Sequence, residues 1–120
     1  MLLSYIINDM VRIVRINSYS DLDKVLTDLG PGECALLLTK QVDDSLRHVD
    51  GITTVLLRSI RDKTEVDYLL AAGSKVLCIS MDGFGLLSEY ALSRLKYVII
   101  TRQPTESDTK LFRILLNITQ

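Results

Sequence analysis

Four basic residues, Lys40, Arg58, Arg61 and Arg102, each come just after an apolar run, where a strand should give way to its connection. Ligands of open α/β sheets sit outside the carboxyl ends of the strands. Guanidinium forks, an ammonium group and the free amides of helix starts all favour phosphate or carboxylate there. These four side chains, with Asp82 and Gly83 after a later strand, form a candidate anion site. The competing reading is a solvated rim, the usual fate of charged residues at strand ends.

Other groupings are weaker in chemistry. Asp82-Gly83-Phe84-Gly85 resembles part of a dinucleotide fingerprint, but Ser88 stands where the third glycine should be, so a tight strand-to-helix turn explains it. Phe84 beside those glycines could serve as a partner contact. Asp43, Asp44 and His48 invite a metal reading, since Asp44 and His48 are a helical turn apart. A third ligand is missing, and no metal is expected. Ser59, Ser80 and Ser88 lack the glycine-flanked setting of a hydrolase nucleophile. Glu65 and Asp67 fall in a helical segment, and the helix dipole accounts for Glu65. No catalytic residue and no cofactor are expected.

The elements that must hold these residues alternate. Leu2–Ile7 and Val11–Ile16 read as strands, with Asn8-Asp9-Met10 able to turn a hairpin. A rival reading makes residues 1–9 a loose extension. The second run alternates over part of its length, as an edge or half-exposed strand does. Ser20 or Asp21 caps a helix carrying Leu22, Val25, Leu26 and Leu29 on one face, and Gly30-Pro31-Gly32 ends it. Cys34–Thr39 and Lys75–Ser80 are apolar on both sides of the pleat, as strands covered on both faces are. Ile52–Leu57 and Tyr97–Thr101 are further strands. Asp62–Ala72 is a helix with Val66, Leu69 and Leu70 inward, stopped by Gly73. Leu86–Leu95 is another, with Leu87, Tyr90, Ala91 and Leu95 available for packing.

The tail from Lys110 to Ile118 fits either a helix or a strand. The turn chemistry of Pro104 to Asp108 tips the reading slightly toward a returning strand. The whole describes one α/β domain over residues 1–120. Its expected form is a three-layer sandwich around a mostly parallel sheet of about five to seven strands, with antiparallel hairpin strands admitted at the chain ends.

Composition narrows the function. The 120 residues carry 14 basic and 15 acidic side chains, so no global field draws the chain to nucleic acid or membrane. The first seven residues are apolar but too short to span a bilayer and lack a basic lead, which points to a cytoplasmic protein. Cys34 and Cys78 lie inside apolar runs and read as buried free thiols.

The stretch Ser20-Asp21-Leu22-Asp23-Lys24-Val25-Leu26, followed by Gly30-Pro31-Gly32-Glu33 and Cys34–Leu38, resembles the opening of a RecA-like ATPase core. In that resemblance Val76–Ser80 stands at the Walker B strand and residues 97–118 at the closing hairpin. The departures are specific. Lys40-Gln41-Val42-Asp43-Asp44 stands where the glycine-rich phosphate loop should be, and Ser80 stands where the Walker B acid should be. The resemblance therefore implies a degenerate scaffold without a Walker A loop, used for assembly rather than ATP hydrolysis.

The expectation is a non-enzymatic interaction, assembly or regulatory protein that self-associates or binds a protein partner. Apolar chain ends offer edge strands for such contacts, with Arg12, Arg15 and Arg113 placed to guard them or to specify a partner. The alternative is a small domain binding a phosphate-containing ligand or nucleotide at the strand ends. Nucleic-acid binding ranks below both.

Overall fold

The computed structural model describes residues 3–6, 11–40, 49, 51–81, 86–101, 106 and 109–110. It is an α/β fold. Six strands form one sheet: β1 (Leu3–Ile6), β2 (Arg12–Arg15), β3 (Cys34–Leu38), β4 (Thr53–Leu57), β5 (Val76–Ser80) and β6 (Leu95–Ile100). Their order across the sheet is β1-β2-β6-β3-β5-β4. β1 pairs antiparallel with β2, with Leu3 opposite Arg15 and Ile6 opposite Arg12. The other four pairings are parallel.

Among the described residues the faces are covered by α1 (Leu22–Leu26), entered through a 3-10 turn at Tyr19–Asp21, α2 (Ile60–Ala71) and α3 (Glu89–Ser93). The two-sided apolar runs are what let helices pack on both faces. Cys34, Leu36, Val76, Cys78, Val98 and Ile100 face α2 and α3, where Val66, Leu70, Ala91 and Leu92 meet them. Ala35, Leu37, Leu77, Ile79 and Ile99 face the other way, against Leu22, Val25, Leu26 and Leu29. Connections that step one way along the sheet lie on one face and those that step back lie on the other. β2 to β3 runs over α1, while β4 to β5 and β5 to β6 run back over α2 and α3. A single crossover hand requires this division.

Several boundaries differ from the sequence reading. β2 is interior, paired on both sides, with Ile13 and Val14 buried on opposite faces. Its arginines gave the run a half-exposed look, and Arg12 and Arg15 lie in register with the outer strand β1. α2 begins at Ile60, two residues ahead of expectation, because Ser59 leaves the helix in extended backbone and serves as its N-cap. At its end Gly73 takes φ +88 and donates to Leu70 O at 3.0 Å, while Ser74 donates to Leu69 O at 3.0 Å. Those two bonds close the last turn and need the left-handed conformation glycine tolerates.

α3 is shorter than the expected Leu86–Leu95. Ser88 caps it, accepting from Ala91 N at 3.0 Å, and its hydroxyl also donates to Asp67 of α2. Leu95 already opens β6, and Tyr90 is outward rather than packed. Gly32, at φ +75, passes close under α2: it donates to Ser74 O at 3.1 Å, and a Cβ there would meet Leu70 O at 3.3 Å. Glu106, Thr109 and Lys110 are helical, so the tail opens at Lys110 as the helical alternative has it, while Pro104, Thr105, Ser107 and Asp108 of the expected turn lie outside the described residues. Residues 111–118, the Asn8-Asp9-Met10 turn, the polar stretch 41–48 and Gly83-Phe84-Gly85 lie outside the described residues. Among the described residues, no helix is long and apolar enough to cross a membrane.

Candidate functional site

The carboxyl ends of β2 to β6 all point to one edge of the sheet. Ahead of β4, Val49 and Ile52 pack on the α1 face, whereas β5 is followed by α3 on the opposite face, so the crevice between the neighbours β3 and β5 is the topological switch point where an α/β sheet accepts a ligand. Thr39 and Ser80 close its floor, both buried, with Thr39 N donating to Ser80 O at 3.1 Å. Lys40 is exposed just above it, and Met81 is 50% exposed at the end of β5.

The other basic candidates fall further off. Arg58 follows β4 and Arg61 lies in the first turn of α2, both exposed. β4 is separated from β3 by β5, so Arg58 starts about 10 Å along the edge from Lys40, two strand spacings away. Arg58 and Arg61 share the start of α2, while Lys40 belongs to the crevice. Arg102, Asp82 and Gly83 lie outside the described residues.

The start of α2 already holds an anion of its own. Asp62 Oδ2 accepts from Arg58 N at 2.9 Å, from Ser59 N at 2.9 Å and from Ser59 Oγ at 3.2 Å. The Arg58 amide foremost, then the Ser59 donors and the Arg58 guanidinium, hold the Asp62 carboxyl below its ordinary value of 3.8, against some desolvation. A carboxylate anchored this way takes the Arg58 and Ser59 amides and sets a negative charge beside any phosphate that would approach the start of α2.

The thiols are not poised for chemistry. Cys34 and Cys78 are both buried and free, and Cys34 Sγ donates to Ala91 O at 3.4 Å. Hydrogen bonding with Cys34, then burial, then the charge of Cys34 and Asp67, push the Cys78 thiol well above its ordinary value of 9.0. Among the described residues, no group of three or more His, Cys, Asp or Glu side chains could hold a metal ion. Asp43, Asp44 and His48 lie outside those residues.

The surface feature that sequence reasoning missed is the outward face of α2. Ile60 is 77% exposed and Tyr68 76%, with Thr64 between them on the same side. Residues four apart on a helix share a face, so Ile60, Thr64 and Tyr68 make a stripe opposite the buried Val66 and Leu70. The signal was present in the sequence. A helix begun at Asp62 leaves Ile60 in a loop and Tyr68 as a lone aromatic, and so hides the stripe.

No family model matches the chain, and neither a curated protein nor a solved structure matches it. The fold and the side chains described above therefore carry the functional argument alone.

Proposed function

We propose that the chain is a non-enzymatic interaction or assembly domain that binds a protein partner or a second copy of itself. The observation that carries this reading is the stripe Ile60, Thr64 and Tyr68. It has two large apolar side chains held out to water on a helix whose other face is anchored in the core. Single exposed apolar residues are ordinary, but an aligned pair of this size on a rigid twelve-residue helix is what a partner surface presents. A degenerate RecA-like scaffold without its phosphate loop, kept for assembly, is compatible with the same reading. Light scattering after size-exclusion chromatography tests it, with the native chain and an Ile60→Asp, Tyr68→Asp double variant. The expected result is a mass that rises with concentration, or with an added candidate partner, in the native chain only. A native chain that stays monomeric and whose partner binding is untouched by the double variant overturns it.

A second reading is favoured by Lys40. That ammonium stands exposed beside the β3–β5 crevice, where a phosphate-containing ligand would lie. The carboxylate over the start of α2 counts against including Arg58 and Arg61 in such a site. Stabilisation against heat by millimolar nucleotides or inorganic phosphate, lost in Lys40→Ala, would establish this reading; no shift at those concentrations removes it.

A further inference from the structure

We infer that the chain forms a two-fold homodimer in which two α2 helices pack antiparallel through their outward faces, about an axis beside Thr64. This rests on the interaction reading above and names the partner as a second copy. The helix turns about 100° per residue, so Ile60 and Tyr68 lie about 40° to either side of Thr64 and equally far from it along the axis. A two-fold at Thr64 reverses the second helix. Ile60 of one copy then meets Tyr68 of the other at the same height, and each pair covers the apolar area that either copy alone leaves wet.

The charges on this face match themselves under the same operation. Arg61 and Glu65 are both exposed and lie together on one flank of the stripe, about 60° and 100° round from Thr64. Arg61 is three residues before the axis and Glu65 one residue after it. Reversal therefore sets Glu65 of the second copy two residues, about 3 Å, from the level of Arg61 on the same flank. Opposite charges meet twice, once for each copy, as an isologous interface requires. A formal net charge of −1 leaves little long-range repulsion between copies. Twelve residues of helix span about 18 Å, which places the dimer in the weak, concentration-dependent class.

Charge reversal in trans is the test, read by sedimentation equilibrium. Arg61→Glu and Glu65→Arg are exposed substitutions that leave the core intact. Each alone sets like charges against each other in its own homodimer and should weaken association about tenfold or more. The first variant is acidic at both positions and the second is basic at both. Mixing them restores opposite charges at each contact, and a heterodimer should form at least as tightly as the native dimer. A native chain that remains monomeric at millimolar concentration overturns the inference. So does a native dimer that both reversals leave unchanged, or two weakened variants that fail to associate when mixed. If the native chain is monomeric but Tyr68→Asp abolishes binding of a different protein, the interaction reading stands and the homodimer does not.

Discussion

The carboxylate of Asp62 folds back over the start of α2 and accepts from Ser59 N at 2.9 Å. The bond fixes where the helix begins, and so puts Ile60 on the helix surface instead of in the preceding loop. It also sets a negative charge at the helix start, which disfavours a second anion beside Arg58 and Arg61. One local interaction thus weakens the ligand reading of this edge and creates the face on which the interaction reading depends.

The depressed ionisation of Asp62 gives a pH signature. A group whose folded value lies below its unfolded one stabilises the fold above about pH 4 and loses that contribution as pH falls through the folded value. Urea denaturation of native chain and Asp62→Asn from pH 7 down to pH 2.5 should show the native chain more stable at neutral pH. The two curves should converge in acid. Curves that run parallel across that range would mean the carboxylate is not held as described.

Tyr97 carries the opposite sign. Its hydroxyl donates to Asp28 Oδ2 at 3.0 Å, and Lys96 Nζ donates to Asp28 O at 2.7 Å, so β6 grips the loop after α1. Desolvation first, and then Asp28, raise the tyrosine above its ordinary value of 10.0. Its contribution is therefore present below about pH 10 and lost as pH rises through the folded value. Tyr97→Phe should lose about 1 kcal/mol at neutral pH and show less destabilisation than the native chain in strong alkali. An unchanged urea midpoint at pH 7 would remove this bond from the account.

Much of the scaffold was legible because apolar runs without alternation belong to strands covered on both faces, and Cys34–Leu38 and Val76–Ser80 are such runs. The hairpin was legible from turn residues between two apolar runs. Less visible was anything set by pairing partners. β2 carries arginines at both ends, yet it is flanked on both sides, and sequence alone does not say which strands neighbour it. The order that puts β5 between β3 and β4, and so parts Lys40 from Arg58, is likewise a property of the assembled sheet. The outward stripe of α2 hangs on one capping residue, Ser59, because Ile60 joins it only if the helix begins directly after that cap.

The thiol pair yields a further expectation. In register, Cys78 lies opposite Leu36, so Cys34 is its diagonal neighbour on the same face. One strand across and two residues along a parallel pair puts the Cα atoms about 8 Å apart, beyond the reach of an unstrained disulfide. Native protein exposed to air or oxidised glutathione should keep both thiols reduced. A thiol reagent should label them only after denaturant is added. Rapid labelling of the folded chain, or a recovered Cys34–Cys78 crosslink, would contradict the packing of this face.

Photo-crosslinking from two positions tests the central claim most directly, because it sets the α2 face against the strand-end crevice in one experiment. A benzoylphenylalanine replaces Tyr68 in one sample and Lys40 in another, each irradiated at high protein concentration and in the cells that express the chain. The account predicts protein adducts from position 68, either with a second copy or with another polypeptide, and none from position 40. Adducts from position 40 alone, or from neither position, would contradict it.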